Sequence, residues 1–445
     1  MDYVVPPLVA ALSKEPETEI QAAMLESLAD CAGVAGELIS QHITAMIEQF
    51  QKTLSNSLER RAERNKRAND EGARFEGFPN PDTLFGDLYG VQSRTSYHYN
   101  KCTTVQDCLR TVHKSPNTRL GTDTFGYFSR PDFDAEEHEA LQDEQAAEDE
   151  VFDQFAECVG SLLRSLNAPV LPLIEPLLAQ YVAPMLSPDR SPEERRIAVC
   201  VFDDVFEHAS AGGASLRYLD GFVGPCFAGC DDPDCDVRQA SVYGVGVMAA
   251  AVGTHFANHV PRALQALAKV IQAPDARSEE VSISPFTTHR LPDCPYKTDT
   301  FFFKTPKNLN ATENAVSALG KLCEFQRNAI PGAEQVVPQW LSCLPLTEDC
   351  VEARVVHAQL VRMLEGGDPH LMGQNNEHLG KVVKVFAVAM PTANLSEKLQ
   401  LCTPETCSKM KALLAQMQSG MAEQLGNAFA QLAPEEQAAL RGAMA

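Results

Sequence analysis

The chain has 445 residues, 44% of them hydrophobic, and it carries a net charge of −23 with a pI near 4.9. That charge argues against a nucleic-acid backbone as direct ligand and favours basic partners. We see no apolar run that suggests a membrane span and no signal peptide, and the 14 scattered cysteines are typical of a reduced cytosolic or nuclear protein.

Residues 1–71 are predicted to form HEAT-type helices. Apolar positions recur at helical spacing in Val4–Leu12 and Glu19–Cys31, and a long helix is predicted from Glu37 to Arg67. The long helix ends in a basic cluster formed by Arg60, Arg61, Arg64, Lys66 and Arg67.

Two stretches, 72–131 and 281–307, lack helical periodicity and are predicted to be irregular insertions. They hold 14 of the 31 aromatic residues, and each is net basic in an otherwise acidic chain. A long structureless excursion inside a compact array is unusual. Two explanations stay open: disordered loops peculiar to this lineage, or unspliced sequence translated from a faulty gene model. We favour the second.

The segment 132–280 is predicted to hold an acidic stretch followed by further HEAT repeats. Asp132–Glu150 contains ten carboxylates in nineteen residues. It is either a solvated helix or loop, or a surface that attracts basic partners. Apolar helices are predicted at Phe152–Leu166, Pro169–Leu186 and His259–Ile271.

One helical design recurs along the chain, most clearly in Asp231–Val252. A turn of short polar residues precedes Asp236-Val237-Arg238 and a stripe of apolar residues at i, i+3, i+4 and i+7. Pro192–His208, Ala311–Phe325 and Cys350–Leu364 repeat the pattern, and from Arg196 to Arg238 there are 42 positions. HEAT and armadillo units repeat at roughly 40–47 residues. The sequence therefore predicts an all-α HEAT-repeat solenoid, a superhelical array of helix pairs.

The segment 308–445 is predicted to hold the C-terminal repeats and a cap. Val336–Leu346 contains the single tryptophan, Trp340, and we expect this residue to be packed inside. Further helices are predicted at Leu379–Met390 and Lys409–Leu425, with Pro434–Met444 closing the array.

The sequence offers no constellation that calls for enzymatic chemistry, a cofactor or a metal. Cys226, Cys230 and Cys235 lack the paired C-x-x-C spacing of zinc sites, and Cys102, Cys108 and His113 fall in an insertion. Asp203, Asp204, Glu207 and His208 suggest an acid/base cluster, but Asp203 and Glu207 share one helix face as a carboxylate stripe. Gly-rich phosphate loops, nucleophile elbows and HExxH motifs are missing.

Several segments resemble the importin-beta family, in particular the C-terminal part of its beta-3 branch. The segments that carry the resemblance are CVFDDVFEH at 200–208, VRQASVYGVGVM at 237–248, NATENAVSALGK at 310–321, VPQWLSCLPL at 337–346 and LAPEEQAA at 432–439. The similarity covers 1–71, 132–280 and 308–445 in order and omits both insertions, which favours the gene-model explanation.

The resemblance implies a solenoid that shuttles between cytoplasm and nucleus and carries basic proteins, such as ribosomal proteins or histones, through nuclear pores. It also implies release of cargo by Ran-GTP and contacts with pore proteins. In this family the main Ran-binding repeats lie in N-terminal portions that we do not find here, so we expect this chain to be a portion of a longer receptor. The alternative is a HEAT scaffold or adaptor without a transport role.

In such a superhelix the second helix of each repeat lines the concave face. The residues that we predict to face cargo on these helices are Asp203, Asp204, Glu207, Tyr243, Glu313 and Asn314. The carboxylates would pair with lysine or arginine, and Asn314 would bond an extended backbone. For each residue the alternative is a helix cap or a contact between repeats. We assign Asp236 and Arg238 to pairing between repeats.

Overall fold

A computed structural model describes residues 1–73, 135–273, 280–282, 303–305 and 307–444. Its helices are α1 (Val5–Leu12), α2 (Thr18–Ala35), α3 (Ile43–Ala73), α4 (Ala135–Leu166), α5 (Leu171–Leu177), α6 (Pro192–His208), α7 (Leu216–Gly229), α8 (Cys235–Ala251), α9 (Val260–Ile271), α10 (Lys307–Phe325), α11 (Ala333–Ser342), α12 (Cys350–Glu365), α13 (Leu379–Ala389), α14 (Pro404–Ala430) and α15 (Pro434–Met444). Apart from the final residues of α3, the insertion predicted at 72–131 lies outside the described residues.

The helices form a two-layer HEAT-repeat solenoid, which confirms the predicted fold class. The even-numbered helices pack in sequence, from α2 on α4 through to α12 on α14. The odd-numbered helices form the second layer, where α1 packs on α3 and α3 on α5, and α15 closes the array against α13. Because each repeat contacts its neighbours, apolar side chains of both layers merge into one continuous core.

Several helix starts in the even layer are fixed by local capping chemistry. At α6, Ser191 and Glu194 form a capping box with Pro192 in the first turn. At α8, Asp234 accepts hydrogen bonds from the backbone N–H groups of Asp236 and Val237, both 3.0 Å long. Asp349 caps α12 in the same way. These caps confirm the polar turn predicted before the helix at 235 and explain why helix starts were predictable.

Trp340 is fully buried, as predicted, and connects α11 to α10. Its indole N–H donates to the Val316 carbonyl at 3.1 Å. Gly320 provides the space, since a Cβ there would lie 2.8 Å from the indole nitrogen. The helix that carries Trp340 ends at Ser342, earlier than predicted, because a loop with Pro345 follows it.

Several predicted elements differ from the structure. Helix α4 starts at Ala135, so the acidic stretch is largely helical. Helix α7 was not predicted, because Gly221, Gly224 and Pro225 disguise its periodicity. The second insertion begins and ends with paired strands, β1 (Glu280–Ser282) and β2 (Phe303–Thr305), which are antiparallel with Val281 opposite Lys304. Valine, threonine and phenylalanine favour strands, which explains this departure from a wholly irregular segment.

Ala168–Leu186 corrects our expectation about membrane-spanning length. By length and composition it is long and apolar enough to cross a bilayer, with a mean hydropathy of 1.3. Its prolines divide it into short 3₁₀, α and π pieces rather than one helix. These pieces pack against α3 and α6. A core segment of a globular protein passes the same test, and the packing favours that interpretation.

The basic cluster at the end of α3 pairs with the acidic stretch of α4. Arg60 and Ser57 both donate to Glu148, which is 4% exposed. Arg61 contacts Asp149 at 2.7 Å and also approaches Glu194 on α6 at 3.4 Å. The described carboxylates Glu144, Glu148 and Asp149 are therefore occupied by arginines of the same chain.

Candidate functional site

An open cleft of about 650 Å³ runs across four consecutive helices of the even layer. It is lined by Glu157 and Arg164 of α4, Arg196, Cys200, Asp203, Asp204 and Glu207 of α6, Asp236, Gln239, Ala240 and Tyr243 of α8, and Asn314 of α10. The lining positions on α6 and α8 recur at three- and four-residue offsets, so each helix turns one continuous face to the cleft. Five of the six predicted cargo residues lie here, and Glu313 does not.

Both arginines in the lining already have acidic partners. Arg164 is paired with Glu157 on the same helix. Arg196 contacts both carboxylate oxygens of Asp153 on α4, at 2.6 and 2.9 Å. The carboxylates of α6 therefore dominate the charge that the cleft presents to solvent.

Asp203 is the most deeply placed carboxyl group of the cleft. It is 4% exposed, and no described residue donates a hydrogen bond to its Oδ1 atom. Burial raises its pKa well above the usual range, and Asp204 and Glu207 raise it further, while Lys321 opposes them. Gly244 of α8 makes this placement feasible, because a Cβ there would lie 2.3 Å from Oδ1.

Glu207 and Tyr243 form a hydrogen-bonded pair between α6 and α8. The Tyr243 hydroxyl donates to Glu207 Oε2 at 2.6 Å. Lys321 of α10 places its ammonium 4.6 Å from the centre of the Tyr243 ring. Burial raises the pKa of Tyr243, and its bond to Glu207 raises it further. The phenol is thus a neutral donor that orients an exposed carboxylate.

Asp204 lies at the mouth of the cleft. One carboxylate oxygen is 3.6 Å from His208 Nε2, one turn along α6. The atoms of Asp204, Glu207 and His208 that could coordinate a metal all lie within 4.8 Å of one another. Exposed acidic groups commonly lie this close without an ion, and we assign no metal to them.

Glu313 and Asn314 serve as connectors between repeats. The buried Glu313 carboxylate accepts backbone N–H groups of Thr347, Glu348 and Asp349, the shortest at 2.7 Å. Asn314 donates to the Asn310 carbonyl and to Asp349 Oδ2. These contacts match the structural alternative stated for both residues, although Asn314 also borders the cleft. We leave Glu313 out of the proposed cargo surface.

Arg238 makes contacts within its own repeat and with the next repeat. Arg238 donates to the carbonyls of Asp232 and Pro233, each at 2.8 Å, and to Asn308 of the next repeat. Burial lowers the pKa of Arg196, but Asp153 and, more weakly, Asp236 offset this effect and leave it raised. Asp236 therefore acts electrostatically on α6, the preceding helix of the even layer, and the assignment of both residues remains our proposal.

Sequence reasoning missed two charged residues beside the cleft, Lys321 and Glu352. Glu352 of α12 is 4% exposed, and its Oε2 is 3.9 Å from the Lys321 ammonium. Burial raises the pKa of Glu352 and Lys321 opposes the rise. In the sequence, Glu352 reads as an acidic residue in a first helical turn, so nothing in its local pattern signals burial.

The thiols of Cys226 and Cys230, which lack the sequence spacing of a zinc site, make hydrogen bonds to backbone carbonyls. Cys226 donates to the Ser241 carbonyl at 3.1 Å, and Cys230 donates to the Cys226 carbonyl at 3.4 Å. Burial raises the pKa of Cys230 to about 12. Within the residues that the structure describes, these thiols do not join a group of potential metal ligands.

Curated proteins that are named as importin subunits match parts of the chain. Importin subunit beta-3 of Saccharomyces cerevisiae is 22% identical over 66% of this chain and 24% of its own length. Probable importin subunit beta-4 of Schizosaccharomyces pombe is 29% identical over 26% of this chain and 10% of its own length. The chain thus spans about a quarter or less of the relatives it matches. No protein-family model matches it.

Solved structures of Kap121p share the fold. One crystal structure of Kap121p aligns over 100% of this chain and 30% of its own, with a TM-score of 0.58 and 14% identity. Kap121p bound to the SUMO protease Ulp1p gives a TM-score of 0.59 with 16% identity, and Kap121p bound to Nup53p gives 0.57 with 14% identity. Each alignment covers 99% of this chain and 30% of the other. Sequence relatives and shared fold together support membership of the importin-beta family.

Proposed function

We propose that this chain supplies cargo-binding repeats to a nuclear import receptor that shuttles between cytoplasm and nucleus. The observation that carries the proposal is the cleft, which crosses four consecutive helices of the even layer and presents carboxylates, while both arginines in its described lining are already paired. A groove that follows consecutive repeats suits an extended protein segment, and its charge favours a basic one.

The similar proteins support the transport part of this proposal. Two sequence relatives are named as importin subunits, and Kap121p structures include complexes with Ulp1p and Nup53p. Because this chain spans less than a third of those proteins, transport itself, contacts with pore proteins and Ran-GTP control belong to the proposed receptor as a whole.

Binding of a basic peptide tests the cleft. We expect the chain to bind a histone-type peptide rich in lysine and arginine, measured by fluorescence anisotropy at low ionic strength. Glu207→Lys should weaken binding by about tenfold, because it reverses an exposed charge at the cleft, and the difference should shrink as salt is added. The matched control is Asp220→Lys, which makes the same charge change on the exposed face of α7.

Equal losses in both variants would show that the peptide senses only net charge, and the cleft assignment would be wrong. Ran-GTP then separates the two classes of function. Release of the peptide from the full-length product on adding Ran-GTP supports a transport receptor. Retention of the peptide supports the HEAT scaffold.

A further inference from the structure

Asp203 sits among acidic groups contributed by several helices. The titratable groups that interact with it are Cys200, Asp204 and Glu207 on α6, Cys226 on α7, Cys230 just after α7, Tyr243 on α8 and Lys321 on α10. In the described part of the chain, Lys321 is the one cation in this set, and no ion pair joins it to Asp203. Its ammonium lies over the Tyr243 ring and beside Glu352.

In the described part of the chain, the Lys321 ammonium is therefore the one cation close to a cluster of three carboxyl groups, those of Asp203, Glu207 and Glu352. A buried carboxylate that lacks both a counter-ion and hydrogen-bond donors is costly in its charged form. Asp203 is 96% buried, no described residue donates to its Oδ1, and Asp203 is one of the residues that line the cleft. The Asp203 carboxylate would therefore be stabilised by one more positive charge, either a proton or a cation from a bound partner.

We propose that Asp203 is the anchor for one cationic side chain of the bound protein segment, and that this cation takes the place of a proton on the carboxyl group. The inference rests on the proposed binding of a basic segment and identifies where one of its charges docks. Asp204 and Glu207 stand at the entrance and draw the cation in, while Asp203 holds it. A lysine ammonium fits best, because a compact charge suits a single recessed carboxylate, whereas arginine favours planar, bidentate partners.

The exchange of a proton for an ammonium group at Asp203 conserves charge and needs no other reactant. The free protein carries the neutral acid, the incoming ammonium keeps its own charge, and the displaced proton goes to the buffer. Burial raises the pKa of Asp203 in the free protein, and a bound cation lowers it. Between these two pKa values, affinity rises with pH by up to about tenfold per unit, and it levels off above the free-state value.

The test is isothermal titration calorimetry with an acetylated, amidated peptide of lysine, glycine and serine, which has no group that titrates near neutral pH. Titrations in buffers of different ionisation enthalpy count the protons released. We expect the wild-type chain to release up to about one proton per peptide. Asp203→Asn mimics the neutral acid, so we expect it to fold normally and to release close to none.

Asp204→Asn is the matched comparison, because it removes a neighbouring carboxylate from the same helix. We expect weaker binding with proton release retained, since burial is the main cause of the Asp203 shift. Binding without proton release by the wild-type chain, or equal release by Asp203→Asn, overturns this inference alone. Absence of peptide binding at low salt overturns the proposed function with it. Preference for an arginine peptide of the same design would contradict the assignment to lysine.

Discussion

At the scale of single residues, acidic side chains of the even layer have very different roles. Glu207 is exposed and held by one tyrosine, whereas Glu313 is buried and accepts three backbone N–H groups. Asp203 is as buried as Glu313, yet its Oδ1 receives no such bond. Residues that satisfy a neighbour's backbone hold repeats together, and those that face the cleft with spare bonding capacity remain for a partner.

Glu313→Gln tests the connecting role. The amide offers one acceptor oxygen in place of two, so at least one backbone N–H of the loop before α12 loses its partner. We expect the free energy of unfolding to fall by about 1–3 kcal/mol, measured by urea denaturation. Glu348→Gln, an exposed neighbour, should change it little. Equal stability of both variants would contradict the assignment.

At the scale of secondary-structure elements, the contact between α3 and α4 depends on charge as well as apolar packing. Arg61 is 8% exposed, its guanidinium lies 4.3 Å from the centre of the Phe152 ring, and it contacts Asp149 and Glu194. Burial raises the pKa of Asp149, and Arg61 opposes the rise. One arginine thus joins α3, α4 and α6.

Arg61→Met keeps much of the packing on Phe152 but removes the shortest ion pair of two partly buried carboxylates, Asp149 and Glu194, and leaves Glu194 with Arg190 at 3.9 Å. Breaking such a pair from one side is strongly destabilising, and we expect a loss of about 3 kcal/mol or more in urea denaturation. Arg67→Met is the comparison, because the Arg67–Glu144 pair is about half exposed and should contribute less than about 1 kcal/mol. A similar loss in the free energy of unfolding for both variants would show that the Arg61 contacts stabilise the fold no more than an exposed ion pair does.

At the scale of the whole molecule, the even layer continues directly from α2 through α4 to α6, and the ion pairs of α3 with α4 reach as far as Arg67 and Glu144. The described helices before and after residues 74–134 therefore pack directly on each other. Loop closure depends only weakly on loop length, so the described repeats do not need a long connection there.

Replacing residues 74–134 by a six-residue Gly-Ser linker should leave the repeats folded. Closing a six-residue connection costs roughly 2 kcal/mol less than closing one about tenfold longer, so we expect unchanged or higher stability, followed by circular dichroism during thermal unfolding. A clear drop in stability would show that these residues contribute to the folded array. The same variant should bind the basic peptide as before, because the cleft lies on α4, α6, α8 and α10.

The sequence by itself determined the helical repeats, most helix starts and the family resemblance, because periodicity and caps depend on residues within a few positions of each other. Pro192–His208 and Pro434–Met444 match their predicted bounds for that reason. Tertiary structure alone decided which polar residues are available to a partner. Burial and pairing come from distant side chains, as where Glu148 meets Ser57, 91 positions away, or Lys321 reaches Glu352 on the next repeat. Hence four carboxylates that look alike in sequence, Asp203, Glu207, Glu313 and Glu352, differ in the folded chain.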